Sequence, residues 1–129
     1  MDAHWILYVA DQSAAENFYA AVLGRKPRLS VAGMTEFELA TGAVLGLMPE
    51  SGICQLLGSR LPDPRAARGI PRSELYLIVD EPEAYWQRAL RAGATELSPL
   101  LARDWGHRVA YCLDLDAHVL AFATHVAAG

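Results

Sequence analysis

The sequence predicts an α+β fold made of two copies of a β-α-β-β-β unit. An apolar strand pattern followed by helical spacing and a glycine occurs near the N-terminus and again beyond the middle of the chain. The interval from the strand end at Val9 to the helix stop at Gly24 matches that from Val79 to Gly93 to within one residue. Neither short repeat can cover its own sheet, so the two are expected to pack together and leave a cleft between them.

The first repeat opens with a strand and a helix. Residues 4–10 are aromatic and β-branched, which is typical of a buried strand. Apolar side chains recur at intervals of three and four over residues 12–23, which predicts a helix with one buried face. Asp11 or Ser13 can cap its start, and Gly24 supplies a left-handed stop.

Three extended runs complete the first repeat, which covers about residues 3–48. They lie at about residues 28–31, 35–40 and 43–48. The Thr41 and Gly42 pair between the last two runs predicts a tight hairpin. Residues 49–72 are rich in proline and glycine and are interpreted as a linker, with a short helical turn around Ile53.

The second repeat, at about residues 73–125, follows the same order within a single domain of residues 1–129. Residues 74–79 predict a buried strand, and Pro82 marks the first turn of a helix that Gly93 ends. Three more strands are predicted at residues 95–97, 108–113 and 118–124, with residues 114–117 as a turn.

Composition excludes several function classes. The chain has 129 residues and a net charge of −4, and no run of Lys or Arg forms the basic stripe that nucleic acid needs. It shows neither a charged leader nor an apolar stretch near ~18 residues, so we expect a cytoplasmic protein with no membrane partner. Cys54 and Cys112 are far apart and are expected to stay reduced. The sequence contains neither a nucleophile elbow nor a phosphate-binding glycine loop, so no motif indicates a hydrolase or a kinase.

Several segments resemble one known family. They are residues 4–11 leading into Phe18-Tyr19 and Leu23-Gly24, then residues 79–84, 103–106 and 114–118. Together they resemble the vicinal oxygen chelate superfamily, the glyoxalase/bleomycin resistance protein/dioxygenase family, over nearly the whole chain. The resemblance implies a curved, barrel-like mixed sheet around a central cavity, a small-molecule ligand and a homodimer.

The resemblance also implies a metal site that this chain carries only in part. Metalloenzymes of the family hold Zn, Ni, Fe or Mn with four His, Glu or Gln side chains. The corresponding positions are His4, Gly46, Glu74 and Ala121. Two of the four have no ligating side chain, so we expect no metal cofactor. A site at His4 and Glu74 would need a further ligand, which a shifted register could supply from Glu36, Glu38 or His118.

His4 and Glu74 also have readings that need no metal. Glu74 could orient His4 as a general base, or His4 could be a hydrogen-bonded histidine at a strand end. Glu74 opens an apolar strand and needs a partner if it is buried. An ion pair with Arg72 or Arg108 would provide one.

Four aromatic residues are the candidate ligand-binding residues. Trp105 and His107 lie in a predicted loop, where binding residues concentrate and where the family commonly borders its pocket. Tyr8 shares a strand face with His4, and Tyr76 lies on the equivalent strand of the second repeat. His125 lies near an end that is expected to fray.

Three functions follow from these features. The first is a metal-independent protein that binds a small, partly aromatic or apolar molecule in the cavity between the repeats, as drug-sequestering members of the family do. The second is a divergent metal-dependent lyase, isomerase or dioxygenase, similar to lactoylglutathione lyase, using His4 and Glu74. The third is a non-catalytic interaction module. No catalytic residue can be assigned from the sequence.

Overall fold

The computed structural model describes residues 1–126, and residues 127–129 of the predicted domain lie outside that range. The strands are β1 (Ala3–Val9), β2 (Leu29–Val31), β3 (Met34–Ala40), β4 (Ala43–Pro49), β5 (Glu74–Ile78), β6 (Thr95–Ala102), β7 (His107–Leu113) and β8 (Val119–His125). The helices are α1 (Gln12–Leu23), α2 (Glu50–Leu57) and α3 (Pro82–Arg91). This order confirms the α+β class and the two β-α-β-β-β repeats.

The chain divides into two compact units, each with one four-stranded mixed sheet. The first unit comprises Met1–Ala20 and Gly24–Arg68, and the second comprises Ala21–Leu23 and the chain from Gly69 onward. Strand order is β1-β4-β3-β2 in one sheet and β5-β8-β7-β6 in the other. In both, the first and last strands of the repeat pair in parallel, and the other pairs are antiparallel.

Alternation along β1 divides its side chains between two faces. Leu7 and Val9 are buried in the core, whereas His4 and Ile6 lie on the other face and are exposed. The helix that follows begins where Asp11 accepts a hydrogen bond from the Ala14 backbone N–H at 3.0 Å. Asp11 is therefore the N-cap.

The second sheet has the same two-sided arrangement. On one face Trp86 of α3 donates its indole N–H to the Tyr111 carbonyl at 3.0 Å, and Tyr85 packs against Phe122 with ring centroids 5.8 Å apart. Tyr76 and the Tyr111 side chain lie on the opposite face, packed on a small apolar cluster. The helix therefore covers one face and leaves the other for the aromatic residues.

Two segments differ from expectation. The predicted linker contains α2 and two short 3₁₀ turns, Gly58–Arg60 and Pro64–Ala67, so it is more ordered than its composition indicates. Strand β6 continues to Ala102 although it contains Pro99, because its pairing with β7 shifts register on either side of Ser98. Irregularities of this kind on an edge strand accommodate a residue that lacks an N–H. No helix within residues 1–126 has the length and apolar character needed to span a membrane.

Candidate ligand-binding site

The face of the second sheet opposite α3 has an apolar floor flanked by two tyrosines. Val109, Ala121 and Ala123 form a fully buried cluster, and half-buried Tyr76 and Tyr111 pack against it. The strand register explains this arrangement, because Ala121 on β8 pairs with Tyr76 on one side and with Tyr111 on the other. Small residues in the centre thus let two large rings close over them.

Tyr76 joins two further aromatic residues through its hydroxyl group. The Trp105 indole N–H donates to Tyr76 Oη at 2.9 Å, and the same oxygen lies 2.6 Å from His107 Nδ1. An indole nitrogen can only donate, so Tyr76 accepts from Trp105 and its own O–H is free to donate to His107. In this arrangement the Trp105 N–H and the Tyr76 O–H are both used, and the neutral His107 ring carries its proton on Nε2. We refer to Tyr76, Trp105 and His107 as the Tyr76 cluster.

The hairpin between β6 and β7 positions this cluster. Its closing hydrogen bond runs from the Arg103 N–H to the His107 carbonyl at 2.8 Å. Gly106 has a φ of 87°, a left-handed conformation that glycine adopts without steric cost. The turn leaves Trp105 56% exposed. At its base His107 lies opposite His125, with the rings edge to face at 4.7 Å.

Arg103 brings a positive charge to the same hairpin. Its Nη2 donates to Ser98 Oγ at 2.6 Å and to the Val109 carbonyl at 2.9 Å. The guanidinium lies over the Tyr111 ring, 5.1 Å from the centroid. Its Nε is buried and has no hydrogen-bond partner within residues 1–126. A buried donor left unpaired is uncommon in native proteins.

Electrostatics at this face centre on Tyr111. Burial raises the pKa of the Tyr111 hydroxyl, and the negative charge of Glu74 and the hydroxyl of Tyr76 raise it further, while Arg103 opposes the shift. Glu74 is exposed, and neither the predicted pairing with Arg72 nor that with Arg108 is found among the described residues. The face therefore carries a carboxylate at the start of β5 and a cation at the end of β6.

The face of the first sheet that bears His4 instead carries an ion-pair network. His4 Nδ1 lies 3.5 Å from Glu36 Oε2, reaching over β4, which lies between their strands. Arg28 Nη2 lies 2.9 Å from Glu36 Oε1, and Arg28 Nη1 lies 3.8 Å from Glu38 Oε2. A guanidinium already paired with both carboxylates would repel a divalent ion there. Glu36 and Glu38 are therefore disfavoured as the additional metal ligands.

The two positions without a ligating side chain are filled by neighbours. A Cβ added at Gly46 would lie 3.0 Å from Ile6 Cγ1 and 3.3 Å from Met34 Sδ. Ala121 is fully buried beneath Tyr76 and Tyr111. Loss of the family's ligands has therefore not opened space at either position. Across residues 1–126, no three His, Cys, Asp or Glu side chains form a group that could hold a metal ion, so these residues do not fit the four-ligand site.

The structure brings three of the four predicted ligand-binding residues into one hydrogen-bonded cluster. Tyr8 lies in the first unit, on β1, as does His4, whereas Glu74 lies in the second unit. Sequence reasoning missed Arg103 and His125. Arg103 could have been found from the alternation of side chains that starts at His107 on β7, together with the closing of the hairpin across Gly106. His125 ends a paired strand, so the expected fraying is not seen there.

A family profile matches most of the chain. Residues 3–122 match the profile of the Glyoxalase/Bleomycin resistance protein/Dioxygenase superfamily. No significant match was found among curated proteins.

Solved structures share the fold at low sequence identity. A glyoxalase-related enzyme from Fulvimarina pelagi is 21% identical, with a TM-score of 0.78 over 97% of this chain and 88% of its own. A glyoxalase/bleomycin resistance protein/dioxygenase family enzyme from Burkholderia phytofirmans PsJN is 17% identical, with a TM-score of 0.80 over 98% of this chain and 100% of its own. At these identities the likeness concerns the fold.

Proposed function

The chain belongs to the glyoxalase/bleomycin resistance protein/dioxygenase superfamily, and from this premise we propose that it binds a small, partly aromatic or apolar molecule without a full metal site. The observation that carries the proposal is the Tyr76 cluster on the face of the second sheet opposite α3. Three residue types that suit planar ligands converge there, and their orientations are fixed by mutual hydrogen bonds. A pre-arranged aromatic surface binds with a smaller entropic cost than a mobile one.

The chemistry of the surface favours a planar guest. The indole N–H, the only donor of the Trp105 side chain, is used by Tyr76. The exposed ring therefore offers a ligand its π face and has no unpaired polar group. Beneath lie the apolar Val109, Ala121 and Ala123. Apolar surface with a few fixed polar groups is the usual composition of small-molecule sites.

The metal-free part of the proposal is supported by the donor set. Gly46 and Ala121 are packed by their neighbours, and Glu36 is held by Arg28. Elemental analysis of protein purified without chelator tests this part. Tightly held Zn, Ni, Fe or Mn in stoichiometric amount would contradict it and favour the metal-dependent lyase, isomerase or dioxygenase with ligands His4 and Glu74.

Binding itself is tested with N-phenyl-1-naphthylamine, an uncharged aromatic probe whose fluorescence rises in apolar surroundings. We expect saturable binding of one probe per chain, weakened about tenfold in Trp105→Ala through loss of the ring contact. Trp5→Ala is the matched control, because Trp5 is 52% exposed and lies in the first unit. Lack of saturation, or equal weakening in both variants, would contradict the proposal.

A further inference from the structure

Arg103 carries a positive charge that no carboxylate of residues 1–126 neutralises. All the hydrogen bonds of its side chain there are made by Nη2, to neutral oxygens of Ser98, Val109 and Pro99. Its Nε–H is buried and unpaired, and its flat face is covered by Tyr111. A half-buried guanidinium with unused donors is costly without an anion, and its planar fork matches the two oxygens of a carboxylate.

This cation lies over Tyr111, which packs on the same apolar cluster as Tyr76. Arg103 and His107 form the closing pair of the hairpin whose turn contains Trp105. A molecule whose ring lies on Trp105 and Tyr76 therefore contacts the five-residue segment, residues 103–107, that also carries the guanidinium. His107 adds a donor, because its proton lies on Nε2 when Nδ1 accepts from Tyr76.

Glu74 limits where a negative charge can bind. It lies two residues before Tyr76 on β5, and its charge is felt at Tyr111. An anion near the start of β5 would be repelled, whereas one at the Arg103 end would be attracted. The charges of the face thus give a bound anion one orientation.

We propose that the ligand of this site is a planar aromatic carboxylate, whose ring lies against the Tyr76 cluster and whose carboxylate binds Arg103. The inference rests on the proposed function, because it specifies the ligand of that same surface. It adds a charge requirement that the aromatic residues alone do not impose. Charge-assisted hydrogen bonds from arginine to a carboxylate raise affinity by about tenfold or more over a neutral group.

Two probes of equal shape, 2-naphthoate and its neutral amide 2-naphthamide, test the charge requirement on the wild-type protein. We expect the carboxylate to bind about tenfold more tightly, and added salt to reduce that preference, since an ion pair at a partly exposed site is screened. Equal affinity for the two probes would overturn the inference while leaving the proposed function standing. Binding of neither probe would overturn both.

Substitution of Arg103 locates the effect. Arg103→Met is expected to remove the preference for 2-naphthoate and to leave 2-naphthamide binding within about twofold. Arg108→Met is the matched control, because Arg108 is exposed and alternation places it on the opposite face of β7. Circular dichroism shows whether Arg103→Met folds. If it does not, Arg103→Lys, which keeps the charge, takes its place. A preference that survives in a folded Arg103→Met variant would overturn the assignment.

Discussion

Ile6 lies directly opposite Gly46 in the parallel pair of β1 and β4, and its side chain fills the space that a side chain at position 46 would need. The second sheet repeats this relationship, because Tyr76 on β5 lies opposite Ala121 on β8 and packs over it. In each repeat, a large residue on the first strand has taken up the room above a small residue on the last. The small residues are thus part of the packing, and a ligand restored at either position would have to displace a neighbour.

Gly46→Ala is expected to destabilise the protein by about 1 kcal/mol, because its Cβ would crowd Ile6 and Met34 and force side chains off their preferred rotamers. Urea unfolding measures the change. Gly52→Ala is the control, since Gly52 lies inside α2 with no atom closer than 3.8 Å to the added Cβ. There the substitution should stabilise by about 0.5–1 kcal/mol through helix propensity. A Gly46→Ala variant as stable as the wild type would contradict the packing argument.

The turn between β7 and β8 holds a strained residue. Ala117 has a φ of 65°, and no other non-glycine residue between 1 and 126 has a positive φ. Asp114 fixes the turn by accepting hydrogen bonds from the N–H groups of Asp116 and His118, both at 2.9 Å. Ala117→Gly should therefore stabilise the protein by about 1 kcal/mol, because glycine adopts this conformation without a Cβ clash.

Thermal unfolding of Ala117→Gly should show a raised Tm. The control is Ala32→Gly, in the turn between β2 and β3, where the backbone φ is not positive. There the added freedom of glycine in the unfolded chain should lower stability by a few tenths to about 1 kcal/mol. Changes of the same sign in both variants would show that the left-handed conformation is not the cause.

The repeat, its helices and the glycine stops could be predicted because they depend on local periodicity. The ends of β6 could not, since its extension past Pro99 depends on register shifts against β7. Trp105 and His107 were found because the sequence predicts a loop there, although His107 is the first residue of β7. The role of Arg103 depends on which residue closes the hairpin. The filling of space at Gly46 depends on strand register and on side-chain rotamers, neither of which a single sequence reveals.

The two thiols should differ in reactivity. Cys112 is fully buried, and burial together with the nearby Asp114 carboxylate raises the pKa of its thiol to about 12. Roughly one Cys112 thiol in 10⁴ would then be ionised at pH 8, and the thiolate is the reactive form. Iodoacetamide should alkylate the partly exposed Cys54 in the native protein and Cys112 only after unfolding, as peptide mass spectrometry can show.

The same shift gives a pH dependence of stability. The folded protein holds the Cys112 proton more tightly than the unfolded chain, whose thiol has the ordinary pKa of 9.0. The contribution of the neutral thiol is therefore fully present below about pH 9 and is lost as the pH rises toward 12. Cys112→Ala should lose less stability than the wild type over that interval. Equal losses, or rapid alkylation of Cys112 in the native state, would contradict the assigned pKa.

Tyr76 should determine the tautomer of His107. While Trp105 donates to its oxygen, the Tyr76 O–H donates to His107 Nδ1, so the neutral imidazole carries its proton on Nε2. Tyr76→Phe removes that donor, and the ring is then free to populate the Nδ1–H form. Long-range ¹H–¹⁵N correlation spectra distinguish the two nitrogens and should show the His107 signals moving toward a mixture of tautomers. The His4 signals should not move, because its Nδ1 faces Glu36 in the first unit. If His107 kept a pure Nε2–H tautomer in Tyr76→Phe, the hydroxyl group would not be what orients this ring toward a ligand.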